Sequence, residues 1–75
     1  MAAVTVDTRG LSCPLPVLKV RKFMRSIAPG NLVRVLATDP LAEDDLRAYC
    51  DASGCAFLSV DELDGGVLCI VIQKR

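Results

Sequence analysis

Four cysteines, no histidine and two prolines just after the first cysteine restrict the chemistry open to this 75-residue chain. Without histidine, Ser-His and Cys-His dyads are excluded. The cysteines are separated by 37, 5 and 14 residues, with no C-x-x-C pair. Neither a thioredoxin-type dithiol nor an ordinary zinc knuckle is expected, since zinc would have to be held by Cys and carboxylates alone. Gly65-Gly66 reads as a turn; no P-loop and no G-x-G-x-x-G is present. Phe23, Phe57 and Tyr49 are too few for the stacking platform of a single-strand RNA binder. No metal and no cofactor are therefore expected. What remains is one thiol, in Gly10-Leu11-Ser12-Cys13-Pro14-Leu15-Pro16.

Proline suits the first turn of a helix, because that turn's N–H groups have no intrahelical partner and its φ is already helical. It also moves the preceding residue out of the α region. The spacing thus predicts Cys13 at the N-cap, Pro14 at N1 and Pro16 at N3. A sulfur there meets the positive end of the helix dipole, worth about 0.3–1 kcal/mol, less than one pKa unit. That raises the thiolate at neutral pH to on the order of ten per cent, before cations such as Arg9 add to it. The bland alternative is a buried, inert cysteine that ends a loop. A thiolate without a resident base suits thiol exchange, which needs access and ionisation but no proton shuttle.

The elements that must position this cysteine follow from periodicity. Val4-Thr5-Val6 alternates as a first strand, and Asp7 to Ser12 forms the loop leading to Cys13. The first helix is expected from Pro14 to about Ala28, stopped by Pro29-Gly30. Val17, Val20, Phe23, Met24, Ile27 and Ala28 share its apolar arc, opposite Lys19, Lys22, Arg25 and Ser26, with Arg21 at the edge. Leu15 and Leu18 fall on the charged side near Cys13, a possible docking patch.

Leu32 to Thr38 reads as a second strand. Asp39-Pro40 opens a second helix with Asp39 as N-cap, an apolar face of Ala42, Leu46, Tyr49, Cys50 and Ser53, and Gly54 as its stop. Cys55 to Asp61 and Val67 to Gln73 are expected to form a hairpin about Asp64-Gly65-Gly66. The last strand is apolar on both faces, so it is central or its outer face is covered by a partner. The order β-α-β-α-β-β makes the first two strands parallel, with a right-handed crossover. The expected architecture is a two-layer α/β sandwich: a four-stranded mixed sheet with two helices on one face.

Length bounds the chain to one small domain, 1–75, near the lower limit for folding on a single core. No stretch is long enough to span a membrane and no signal-peptide layout is seen, so reduced thiols and a cytoplasmic location are expected. Net charge is zero but uneven: residues 1–38 carry +5 and residues 39–75 carry −5. This pattern suits docking on a protein surface better than bulk nucleic-acid binding.

The run Asp7-Thr8-Arg9-Gly10-Leu11-Ser12-Cys13-Pro14-Leu15-Pro16 resembles the Cys-Pro-x-Pro signature of the TusA/SirA-like sulfur-carrier family. The likeness continues through Ala37-Thr38-Asp39-Pro40, Gly54 and the terminal hairpin, and so covers nearly the whole chain. It implies the same two-layer fold. It also implies that Cys13 accepts sulfane sulfur as a persulfide from a cysteine desulfurase or rhodanese-like donor, then passes it to an acceptor protein. Such relays serve tRNA thiolation or sulfur metabolism. On this reading Arg9, Gly10, Pro14 and Pro16 support the site, and Leu15, Leu18, Lys19, Lys22 and Arg25 dock partners. Neither nucleic acid nor membrane is contacted directly, and the protein is a monomer or weak dimer. Cys50 falls at a recurrent but non-catalytic position. Cys55 departs from the family pattern, which has His there, and stands as a second thiol near the site or as a strand residue. The competing readings are a regulatory or RNA/protein-binding module, and a redox sensor in which Cys55 or another thiol resolves Cys13.

Overall fold

The computed structural model describes residues 3–75. It contains strand β1 (Ala3–Thr8), helix α1 (Leu15–Met24), strand β2 (Leu32–Ala37), helix α2 (Ala42–Ser53), strand β3 (Ala56–Leu63) and strand β4 (Val67–Gln73). The sheet order is β1-β2-β4-β3. β1 and β2 are parallel, with Thr8 opposite Ala37, while β4 runs antiparallel to both β2 and β3. The four-stranded mixed sheet with two helices is thus the architecture expected from patterning, and β4 is central, as its two apolar faces require. Asp64–Gly66 makes the hairpin turn, with Gly65 and Gly66 both at positive φ.

Alternation decides which side of each strand is covered. Val6, Val33, Val35, Ile70 and Ile72 point inward and meet Val20, Met24, Leu46 and Cys50 from the helices. At about 25 cal/mol per Å² of apolar surface buried, such aliphatic packing is the main favourable term, since the chain has no Trp. Cys50 is a small core residue, and burial pushes its thiol up to about 11. Gly54 ends α2 at φ 82°, its N–H donating to the Cys50 carbonyl at 2.9 Å.

Expectations at the element boundaries are corrected, including β1, which runs to Thr8, and β3, which spans Ala56–Leu63. α1 starts at Leu15 and ends at Met24, so Pro14 rather than Cys13 is the N-cap, Pro16 is the second helical residue, and Cys13 lies one position outside. Beyond Met24 the chain tightens into turns that donate to Phe23 and Met24 carbonyls, and Ile27 reaches the core from there. Phe23, in the last turn of α1, and Ala28, beyond its end, are exposed although a 100° repeat places both on the apolar arc, and Ser53 at the end of α2 is exposed too. Leu41, not Asp39, is the N-cap of α2, and the Asp39 carboxylate accepts from the Leu41 N–H.

Candidate functional site

Cys13 is placed by the parallel pairing of β1 and β2. Ligand sites in open α/β sheets lie at the carboxyl ends of parallel strands, where the loops diverge. Here the loop after β1 carries Cys13 and the loop after β2 carries Asp39. Several bonds lock the two ends together. Thr8, fully buried, donates its hydroxyl to the Leu36 carbonyl at 2.6 Å. Leu11 N–H donates to the Thr8 carbonyl at 3.2 Å, closing a turn whose third residue, Gly10, has φ 80°. A side chain at that φ is strained, which is the reason for glycine. Gly10 N–H in turn donates to Thr38 Oγ1 at 2.9 Å.

Cys13 itself is tied to the loop after β2 through its backbone. Its N–H donates to Asp39 Oδ2, while Asp39 Oδ1 accepts from Leu41 N–H at 2.9 Å. One carboxylate thus fastens the cysteine loop to the start of α2. The Cys13–Pro14 peptide is cis. The thiol is exposed and free; of the other cysteines, all free as well, Cys50 is buried and Cys55 and Cys69 are half-buried.

Two depressions meet at Cys13. One, of about 600 Å³, lies between the helices and is lined by Pro14, Val17 and Arg21 on one side and by Asp45, Ala48 and Tyr49 on the other. The second, of about 460 Å³, is bounded by the two loops and includes Gly10, Thr38, Asp39 and Leu41.

The electrostatics reverse the expectation drawn from the helix start. The thiol's pKa is raised, chiefly by hydrogen bonding to the Asp45 carboxylate, then by desolvation and by the charges of Asp45 and Asp39. A carboxylate that accepts from the thiol and repels the thiolate favours the neutral form. The expected cation is engaged elsewhere. Arg9 forms a two-pronged bridge to Asp7, at 2.9 and 2.8 Å, and holds that carboxyl down at about 2. Lys19 donates to the Asp7 carbonyl at 2.7 Å, fastening α1 to the end of β1. Lys22 on α1 and Arg25 at its C-cap are exposed. Leu15 and Leu18 are also exposed, at 49% and 48%, on the helix that begins beside the thiol. Pro16 is buried and Pro14 exposed at the cleft. Cys55 precedes β3 and is half-buried against the core, while the acidic groups acting on Cys13 are Asp45 and Asp39.

Asp39, Thr38 and Asp45 were not singled out as site residues from sequence. One signal was available: Cys13-Pro14 and Asp39-Pro40 are matching loop ends after two strands that must be parallel neighbours, so they emerge on one edge. Nothing in the spacing alone turns Asp45 toward the thiol, because that depends on how α2 lies against α1.

A sequence model of the family described as Sulfurtransferase TusA matches residues 4–74. A Neisseria meningitidis protein, provisionally named a sulfur carrier protein, is 39% identical over 75 residues, covering all of both chains. The sulfur carrier protein TusA of Pseudomonas putida is 36% identical over 70 residues, covering 93% of this chain and 86% of its own. The crystal structure of a SirA-like protein from Desulfitobacterium hafniense is similar at a TM-score of 0.83 and 27% identity, covering 93% of this chain and 95% of that one.

Proposed function

This chain belongs to the TusA sulfurtransferase family and is a sulfur carrier, and from that premise we propose that the sulfur rides on Cys13 as a persulfide. The observation that carries the assignment is accessibility: of the four free thiols, Cys13 alone is exposed. Its thiolate attacks the outer sulfur of a donor protein's persulfide. The donor's S–S bond breaks as the new one forms, the donor cysteine leaves as a thiolate, and it takes up the proton that Cys13 gave up. The acceptor's thiolate repeats the attack on the Cys13 persulfide and returns Cys13 to the thiolate. One sulfur atom moves at each step and no electrons are gained or lost overall, so no cofactor is needed.

A sulfur carrier has a sulfur donor and a sulfur acceptor as partners. The donor fits the class of cysteine desulfurases or rhodanese-like proteins, and the acceptor serves tRNA thiolation or another branch of sulfur metabolism. Gly10 and Pro14 shape the loop, Pro16 sets the first turn of α1, and Arg9, bound to Asp7, stands where the loop leaves β1. Leu15 and Leu18 give partners apolar contact, with Lys22, Arg25 and the Lys19 stem beside them. Residues 1–75 act as one domain, as a monomer or weak dimer, in the cytoplasm, where thiols stay reduced. No helix among the described residues is long and apolar enough to cross a membrane.

Incubation with a cysteine desulfurase and cysteine, or with rhodanese and thiosulfate, followed by intact mass measurement, tests the assignment. Wild type and Cys55→Ser gain one sulfur atom and Cys13→Ser gains none. A Cys13→Ser protein that still gains sulfur refutes it.

A further inference from the structure

Asp45 is the one acidic side chain lining the cleft between the helices, and Cys13 stands at the end of that same cleft. Its carboxylate lacks a cation: the ion pairs among the described residues are Arg9 with Asp7 and Arg47 with Glu43, and Arg21, which lines the same cleft, pairs with neither acid of the site. The neighbouring carboxylate is differently placed, since both oxygens of Asp39 accept backbone N–H groups, from Cys13 and Leu41. Asp45 is therefore a lone negative charge set against the reacting sulfur. Such an arrangement weakens the nucleophile's ionisation, an odd choice if loading speed were the only demand.

We propose that Asp45 is a positioning residue whose unpaired carboxylate, facing Cys13 across the cleft, makes the carrier retain its persulfide until a partner's Lys or Arg covers that carboxylate. The proposal rests on the persulfide reading above. When a thiolate attacks the outer sulfur, the bond to Cys13 Sγ breaks and Sγ takes the electron pair. Negative charge then grows beside Asp45, and like charges at close range raise the cost of that step. A leaving thiol that holds its proton more tightly also leaves more slowly. Small thiols in solution bring no cation, so they unload the carrier slowly. A docking protein that lays a cation on Asp45 removes the repulsion where transfer is wanted, and the acidic first turn of α2, with Glu43 and Asp44 alongside, is complementary to such a cation. The charged and titratable groups set around Cys13 are Arg21 from α1, Asp45 and Tyr49 from α2, and Asp39 from the loop after β2.

The test compares wild type, Asp45→Asn, Asp45→Ser, Asp45→Glu and Asp44→Asn. Iodoacetamide labelling of Cys13, located by peptide mass, is followed against pH. Asp45→Asn and Asp45→Ser should shift the labelling midpoint downward and raise the rate at neutral pH about two- to fivefold, since lost nucleophilicity offsets part of the gain in thiolate. Asp45→Glu should stay near wild type, and Asp44→Asn should match it. Each loaded protein is then exposed to a small thiol, and Asp45→Asn should lose its sulfur faster by a similar factor. An unmoved midpoint in both Asp45→Asn and Asp45→Ser overturns the proposal, as does an equal shift in Asp44→Asn or equal sulfur loss from loaded wild type and Asp45→Asn. Failure of the persulfide reading looks different: wild type then takes up no sulfur at all, whatever the labelling profiles show.

Discussion

Replacing Asp39 with alanine removes the side chain that ties the cysteine loop to α2. Two charge-assisted bonds vanish together, from Cys13 N–H to Oδ2 and from Leu41 N–H to Oδ1. Bonds to a charged acceptor contribute about 1.5–3 kcal/mol each when well shielded. These lie at the surface, where water replaces part of what is lost, so about 1 kcal/mol each is the better figure and about 2 kcal/mol the total. For a domain of this size each kcal/mol moves the thermal midpoint by about 4–8 °C, so a fall of about 8–16 °C is expected. Urea unfolding at pH 7 measures the same quantity, with a midpoint lowered at unchanged slope. Asp39→Asn keeps one acceptor oxygen and should fall about halfway. Sulfur loading on Cys13 should slow in Asp39→Ala at temperatures where the protein is folded, because the loop is no longer held to one position. An Asp39→Ala protein within about 0.5 kcal/mol of wild type would refute the reasoning, since the loop would then be held by Thr38 and packing alone.

Other consequences follow from the same geometry. Leu46 is fully buried among strands and helices, so Leu46→Ala should cost about 2–5 kcal/mol in denaturant unfolding, a large share of a small domain's stability. Cys50, raised to about 11 by burial, binds its proton more tightly folded than unfolded. Its contribution to stability is therefore fully present below about pH 9 and is lost as pH rises toward 11, and a thiol label at pH 8 should reach Cys13 while sparing Cys50 until denaturant is added. The double change Leu15→Ser with Leu18→Ser should leave unfolding within about 0.5 kcal/mol of wild type. The same change should weaken sulfur transfer from a donor protein, read as a raised KM, because both side chains are about half exposed.

Most of the architecture was legible in the chain itself, because each element carries its own period. Alternation at Leu32–Ala37 specifies a strand with one covered face, and the two-faced apolar run Val67–Gln73 a strand central in the sheet. The prolines and glycines at Pro14, Pro29-Gly30, Gly54 and Gly65-Gly66 mark where those periods break. Element ends were less legible: a 100° repeat carries Ala28 onto the core face, but the turns after Met24 take it off. Cys13 could be singled out as the candidate residue from its local setting, since its proline neighbours and the excluded alternatives are all properties of sequence. Its electrostatic environment could not. The local rule counted the dipole of α1 and the cation Arg9, one helix and one neighbour. Folding takes Arg9 to Asp7, and brings Asp39 and Asp45 from more than 25 residues away to the same sulfur. Charge acts through space and not along the chain, so composition and spacing singled out the candidate sulfur, while only the tertiary packing that brings α2 and the loop after β2 beside it decided how firmly that sulfur holds its proton.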